Sequence, residues 1–368
     1  MIIISKNVSS QIQALNALCT LMVVAVHSYS RQGYVIGSTP YLIQELFIGG
    51  VCNIAVPTFF ITSGLLFFKD IENPFNKYYQ KLQSRFKTII IPYLSYSLMA
   101  LCSTIFLQSI TRSNTSLNGD TSDDFVFSIH SFFVAWILDP QVGKAGHLWF
   151  LRDLIVLFLL SPLIFWFIHK FRFIPIGFLL LLWLFELQML PIIVGRNYLL
   201  SIESLCFFAL GSYLAISNFK LAEFLEKIEK AKYPIICFWL VAICIRILND
   251  PDLNILYQRS YDSISTLLLY KLGILLGILS IVLISKALVR NRLIIWLSGF
   301  SFAIYLFHYP LAVYVKRGVM LLNLDPLPTF FCRYLLTVGL TVLLVFALRY
   351  TIPNLYGFST GNRGLKNT

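Results

Sequence analysis

Long apolar runs recur along the whole chain of 368 residues, and they constrain its fold more than any other feature. A helix that crosses a bilayer needs roughly 20 predominantly apolar residues. Ten runs of about that length, some shorter, cover residues 12–30, 47–68, 89–110, 147–168, 173–190, 198–217, 234–248, 264–285, 294–315 and 330–348. The pattern predicts an all-α integral membrane protein, a single-domain bundle of about ten transmembrane helices with no fused soluble domain.

Charged residues are scarce and mostly basic. They make up 12% of the chain, whereas soluble domains carry roughly 25%. The formal net charge of +12 comes from lysines and arginines in short loops, where they signal topology and contact anionic lipid. This distribution argues against a nucleic-acid partner. Most of these residues lie inside if the N-terminus is cytoplasmic, so an even number of spans with both termini cytoplasmic is predicted.

The seven cysteines all lie inside apolar runs, and none has CxxC spacing. We therefore expect neither a disulfide framework nor a metal site.

The stretch that contains the first run, residues 11–30, has the sequence QIQALNALCTLMVVAVHSYS and carries a polar stripe. At about 100° per residue, one helical face within about 60° holds Gln13, Asn16, Thr20 and His27. An ionisable residue inside a span is costly and by default indicates a functional site that faces the bundle interior. The alternative is that His27 only hydrogen-bonds a neighbouring helix.

A second polar stripe with a histidine lies in the ninth run, in the sequence SGFSFAIYLFHYPL. Ser301, Tyr305 and His308 fall at positions i, i+4 and i+7 of one helical face. Two such stripes favour a shared, lined cavity over two independent coincidences.

The fourth run opens with GHLWFLRDL and places His147, Arg152 and Asp153 at its outer end. Arg152 and Asp153 are adjacent and do not share a helix face, so each is expected to find a partner on another span or in water. One interpretation is that these residues belong to a functional site. Alternatively, His147 is an interface residue beside Trp149.

A basic cluster, Lys81, Arg85 and Lys87, precedes the third run. Arginine forks and lysine point charges suit the capture of a polyanionic cytoplasmic donor such as a nucleotide phosphate. The alternative is a positive-inside topology signal.

Three segments carry local predictions. In the second run, Ser63-Gly64 permits close helix approach, and packing explains this motif as well as function does. Residues 125–138 are too short to span and predict a re-entrant or interfacial helix in the loop 111–146. Residues 218–233 predict a surface connector whose apolar face comprises Leu221, Phe224, Leu225 and Ile228.

Four motifs together resemble the acyltransferase type 3 family of bacterial membrane proteins: LMVVAVHS, FFITSGLLFF, HLWFLRDLIVLFLLSPLI and FSFAIYLFHYPL. None is specific alone, but their order and spacing cover nearly the whole chain. The resemblance implies a ten-helix bundle in the bacterial cytoplasmic (inner) membrane. Such proteins transfer acyl groups, typically acetyl from cytoplasmic acetyl-CoA, to sugars of O-antigen, exopolysaccharide or related surface glycans. Acetyl-CoA would be a donor substrate, with no bound cofactor.

The chain departs from the family pattern in its first run. The family usually has an arginine shortly before the histidine, and Asn16 occupies that position here. Gln13 stands where the family often has an aspartate. The resemblance therefore leaves open whether the donor is bound in the usual way.

These observations lead to the hypothesis of a membrane O-acyltransferase in which His27 is the general base on an acceptor hydroxyl. Histidine suits this role because its unperturbed pKa of about 6.5 lies near working pH. A covalent acyl-histidine is left open. The basic cluster would hold the donor. The acceptor would be a surface polysaccharide or its lipid-linked precursor, positioned by His147, Arg152 and Asp153, which could instead stabilise the oxyanion. The rival hypothesis is a non-catalytic permease or a degenerate scaffold in a polysaccharide pathway, for which Asn16 and Gln13 argue.

Overall fold

A computed structural model describes residues 6–29, 33–69, 74–111, 128–188, 192–194, 197–217, 219–251, 261 and 263–363. Within these ranges the chain is almost entirely helical. The helices are α1 Lys6–His27, α2 Thr39–Glu45, α3 Ala55–Phe68, α4 Pro74–Arg85, α5 Ile91–Thr111, α6 Ile129–Phe133, α7 Trp149–Phe171, α8 Ile174–Leu184, α9 Ile202–Ile216, α10 Leu221–Lys230, α11 Lys232–Asn249, α12 Ile264–Leu288, α13 Arg292–Ser298, α14 Ser301–Met320, α15 Pro326–Thr351 and α16 Pro353–Thr360.

Short irregular helices and one hairpin complete the described chain. The π-helical segments are Leu46–Val51, Phe86–Ile90 and Val134–Leu138, and the 3₁₀ turns are Cys52–Ile54 and Gly146–Leu148. Two-residue strands, β1 Ile193–Val194 and β2 Asn197–Tyr198, pair antiparallel, with Ile193 opposite Tyr198.

In the described ranges, seven helices are long and apolar enough to cross a membrane. Joining α9 to α10 and α13 to α14, two pairs separated by sharp bends, raises the number to nine. Each predicted run contains a helix, so the predicted all-helical membrane bundle is confirmed and its span number roughly agrees. Three of the ten predicted spans are not among the seven: α8 has only 11 residues, and the α9–α10 and α13–α14 pairs are each interrupted by a sharp bend.

Helix α1 lies inside the bundle, where it packs against α3, α12, α13, α14 and α15. The most extensive helix contact joins α3 to α9, and it depends on two glycines. A Cβ added to Gly64 would lie 2.2 Å from the carbonyl oxygen of Phe208, and one added to Gly211 would lie 2.0 Å from that of Ile61. The predicted close approach at Ser63-Gly64 is therefore confirmed.

The two predicted non-spanning segments are also helical. Helix α6 and the π-helical segment after it lie beside α5, where the indole of Trp136 donates to the Leu94 carbonyl at 2.8 Å and Tyr93 donates to that of Ile137 at 2.6 Å. Helix α10 is a surface helix whose partly buried residues include the predicted apolar face. The polar part of the loop 111–146, residues 112–127, lies outside the described residues.

Candidate active site

Parts of the polar stripes of α1 and α14 line one cavity of about 320 Å³. Asn16 and Thr20 contribute to its wall from α1, and Ser301 and Tyr305 contribute from α14. Both stripes follow from helical periodicity, because residues three, four and seven apart share a face. The remaining wall is mostly aromatic and aliphatic, and it comes from α3, α7 and the π-helical segment after α4. Ligand sites occupy roughly 300–1,000 Å³, so this cavity is large enough to hold a small ligand.

Two arginines contribute the positive charge in this cavity. Arg85 ends α4, and its guanidinium carbon lies 5.6 Å from the centre of the Phe158 ring. Arg363 follows α16, and its guanidinium carbon lies 4.2 Å from the centre of the Phe302 ring. Neither guanidinium forms an ion pair with any carboxylate that the structure describes. The Nε atom of Arg85 is buried without a hydrogen-bond partner.

Burial, with a smaller contribution from the nearby Arg85 charge, lowers the pKa of Arg363 to about 10. Arg363 therefore keeps its proton at neutral pH, and the cavity contains two positive charges that repel each other. An arrangement of this kind favours the binding of an anion.

Three histidines from three different helical segments meet beyond the cavity. The ring centres of His27 and His308 are 5.1 Å apart, those of His147 and His308 are 5.3 Å apart, and those of His27 and His147 are 6.4 Å apart. Tyr309 lies against His27 and His147, with its ring centre 5.0 Å from each. We call His27, His147 and His308 the histidine cluster.

Backbone contacts fix which nitrogen carries the proton in two of these rings. A carbonyl oxygen only accepts a hydrogen bond, so the ring nitrogen facing it must donate. His308 Nδ1 donates to the Tyr305 carbonyl at 2.8 Å, and His147 Nε2 donates to the Leu306 carbonyl at 3.2 Å. In the neutral rings His308 Nε2 and His147 Nδ1 keep their lone pairs, and both are buried without a partner. His27 is half-buried and forms no hydrogen bond with the described residues.

Tyr305 adjoins both the cavity and the histidine cluster. Its ring contributes to the cavity wall, while its ring centre lies 5.6 Å from that of His147 and 6.1 Å from that of His308. His27 lies 11 residues beyond Asn16, about 16 Å along the axis of α1. The site therefore has an arginine-bearing cavity at one end and three imidazoles at the other.

A family model for an acyltransferase domain matches residues 10–349. The chain belongs to the type 3 acyltransferase family. It is a multi-pass membrane protein, and its family membership supports membrane acyltransferase activity. No curated protein and no solved structure matches it. The family match includes the two stripes, Arg85 and the histidine cluster, and it ends before α16 and Arg363.

Arg152 and Asp153 of this acyltransferase do not contribute to the cavity wall. The Arg152 guanidinium donates to the carbonyl oxygens of Leu138 and Tyr198 at 3.0 and 2.6 Å. Asp153 accepts from the Ser204 hydroxyl at 2.6 Å. These are the partners on other elements that the sequence predicts, and the pair thereby ties α7 to its neighbours.

The two side chains also contact each other, with 3.1 Å between Arg152 Nη2 and Asp153 Oδ1. Sequence spacing does not predict this direct contact, which adds to the predicted partners on other elements. The flexible arginine side chain is long enough to fold back beside its neighbour's carboxylate.

The other predicted donor and stripe residues lie outside the cavity wall. Lys81 donates to the Lys69 carbonyl at 3.0 Å, and Lys87 is exposed. Gln13 is exposed on α1. Of the predicted basic cluster, the structure thus brings only Arg85 to the cavity.

Sequence reasoning missed Arg363, Tyr309 and Tyr96, whose ring lies 5.6 Å from that of His147. Tyr309 could have been found because it follows His308 directly. Arg363 and Tyr96 carry no local signal, since their role depends on which helices pack together. No group of three or more histidine, cysteine, aspartate or glutamate residues in the described ranges could hold a metal ion.

Proposed function

We propose that this acyltransferase moves an acetyl group from cytoplasmic acetyl-CoA to a hydroxyl of a surface polysaccharide, or its lipid-linked precursor, in the bacterial inner membrane. The observation that carries the proposal is that the two ends of the site have different chemistry. A cavity with two arginines that lack an ion-pair partner among the described residues adjoins a cluster of three imidazoles, and Tyr305 contacts both. The cavity suits an anionic thioester donor, and the histidine cluster suits an acceptor that must lose a proton.

In the proposed reaction His27 acts as the general base. It takes the proton of the acceptor hydroxyl as the hydroxyl oxygen attacks the thioester carbonyl carbon. The carbon–sulfur bond then breaks, and the departing thiolate receives the proton from His27. His27 suits this role because, of the three imidazoles, it alone is half-buried and has no hydrogen bond in the described part of the chain. A general base of this kind contributes roughly 10²- to 10⁴-fold to a rate.

His147 and His308 would act around His27 as positioning or proton-accepting groups, through the lone pairs on His147 Nδ1 and His308 Nε2. The acyl-histidine alternative uses the same site, with His27 attacking the thioester first. Arg152 and Asp153 would support the site by holding the start of α7 in place. His147 lies in the turn directly before this helix, so its position depends on the helix start.

The proposed orientation places the arginine-bearing end in the cytoplasm, with both termini on that side. The basic segment from residue 69 to residue 87 supports this, since lysines and arginines favour the cytoplasmic face. The donor, which is made in the cytoplasm, would then enter at the arginines. The acceptor would approach the histidine cluster from the opposite side.

The test is acetyl transfer by the purified protein in lipid nanodiscs. Radiolabelled acetyl-CoA would be supplied with surface glycan from cells lacking the protein, and the product analysed by mass spectrometry. We expect labelled glycan with an acetyl-sized mass shift. Glycan that stays unmodified, in vitro and in cells that make the protein, would instead support the non-catalytic alternative that Asn16 favours.

A further inference from the structure

The chain continues past the family match into α16, and this helix brings Arg363 to the cavity. Helix α15 ends at Thr351, and α16 begins at Pro353 and packs against α5. Tyr356 and Thr360 of α16 are fully buried. This helix is therefore part of the packed bundle, and the position of Arg363 is fixed by that packing.

Gly361 sets the direction in which the chain leaves α16. Its φ of 64° lies in the left-handed region that glycine adopts without strain. A Cβ at this position would lie 2.5 Å from the Cα of Thr88 and 2.9 Å from the carbonyl oxygen of Lys87. Only glycine fits both the conformation and the contact. Two residues later the Arg363 side chain lies over Phe302 beside the cavity.

Among the described residues, Arg85 and Arg363 have no carboxylate counter-ion of the kind that a purely structural arginine pair would need. Arg85 and Arg363 both face the cavity, each stacks on an aromatic ring, and neither has a carboxylate partner in the described part of the chain. Both are half-buried, so water screens their repulsion only in part. A doubly charged group with several acceptor oxygens would offset that repulsion, and guanidinium forks match phosphate geometry.

We propose that Arg363, supplied by the segment beyond the family match, completes a phosphate site with Arg85 and binds a phosphate of the donor. The inference rests on the proposed function for the identity of the donor. The anion site itself does not require that function. Asn16 lines the same cavity, and its amide can hydrogen-bond a ligand but cannot neutralise charge. Arg363 therefore supplies charge that α1 of this chain does not.

The experiment measures equilibrium binding to the full-length protein in phosphatidylcholine nanodiscs, which contain no anionic lipid. The probes are coenzyme A and adenosine 3′,5′-bisphosphate, which keeps the 3′-phosphate and one 5′-phosphate but lacks the thiol arm. We expect Arg363→Gln to weaken binding of both probes roughly 10- to 100-fold, as the loss of a charge-assisted hydrogen bond does. Arg363→Lys should recover part of that loss. The matched control is Arg292→Gln, which removes an exposed arginine at the start of α13 and should leave both affinities unchanged.

Any one of three results would refute the proposed phosphate site: unchanged affinity of Arg363→Gln for the probes, an equal loss of affinity in Arg292→Gln, or a wild-type protein that binds neither probe. Because Arg363→Gln could unfold α16, its thermal midpoint is compared with that of the wild type, and the Arg363→Lys variant gives a second measurement with the charge retained. The readout is binding without turnover. Binding that depends on Arg363 in a protein without acetyl transfer would keep the phosphate site and refute the proposed function.

Discussion

The hydroxyl of Tyr305 donates a hydrogen bond to the backbone carbonyl of His147, although the two residues lie 158 positions apart in the chain. The imidazole of His147 returns a bond to the next carbonyl of α14, that of Leu306. These reciprocal bonds attach the turn before α7 to α14, and they hold His147 beside His308. One pair of residues thus shapes the cavity wall and positions the histidine cluster.

His27→Ala should leave the protein in the membrane and remove acyl transfer, because it deletes the proposed general base. We expect a loss of at least roughly 100-fold in kcat. The matched control is His169→Ala, which removes an exposed imidazole near the end of α7, far along that helix from the site. Near-normal transfer by His27→Ala at equal membrane abundance would refute the catalytic role.

His308→Asn should distinguish the structural hydrogen bond of His308 Nδ1 from the proposed chemical role of His308 Nε2. An asparagine amide can still donate to the carbonyl of Tyr305, as His308 Nδ1 does, but it has no equivalent of Nε2. We expect a thermal midpoint close to that of the wild type and a fall in kcat on the order of 100-fold, with the donor KM little changed. An unaltered kcat would show that His308 is only an anchor.

Asn16→Arg should lower activity, because it adds a third guanidinium to a cavity that already has Arg85 and Arg363. An unpaired charge in a membrane site costs a few kcal/mol on the insertion scale. The double variant Asn16→Arg with Arg363→Gln restores two charges, and we expect it to transfer faster than either single variant. The measurement is acyl transfer at matched membrane abundance. A silent wild type that gains activity with Asn16→Arg alone would identify a degenerate family member.

Gly211→Ala should destabilise the bundle, since the new methyl group would lie 2.0 Å from the carbonyl oxygen of Ile61 in the rigid backbone of α3. Overpacking of this kind costs about 1–3 kcal/mol. Gly339→Ala in α15 is the control, because a Cβ there meets nothing within 4 Å. We expect that control to be neutral or to stabilise its helix by up to about 1 kcal/mol. Thermal unfolding in detergent would compare the two, and equal midpoints would contradict the assigned contact.

Cysteine labelling should report the orientation. Residue Glu226 is exposed on α10, which we expect in the cytoplasm, while Val35 is exposed in the loop after α1 on the opposite side. In a background without native cysteines, an impermeant maleimide added to intact cells should label Val35→Cys and spare Glu226→Cys. Asn118 and Asn254, which lie outside the described residues, are also predicted to be labelled. Labelling of Glu226→Cys would show that the orientation or the span order is wrong.

The sequence determined the membrane class, the helical fold and the faces of individual helices. Hydropathy over 20 residues and a 3.6-residue period are local properties, so the stripes of α1 and α14 could be read directly. The same local rule predicted partners on other elements for Arg152 and Asp153, but it did not predict their contact with each other. Their direct contact depends on side-chain reach, which backbone spacing does not report.

Only the tertiary structure decided which of these faces meet. The sequence assigned His147 to a group with Arg152 and Asp153, whereas the folded chain places it with His27 and His308. It treated Lys81, Arg85 and Lys87 as one donor site, whereas Arg85 alone reaches the cavity and Arg363 joins it there. Such pairings arise from contacts between helices hundreds of residues apart, and no period within a single helix contains that information. The physical reason is that a helix fixes its own faces, while packing against other helices selects their partners.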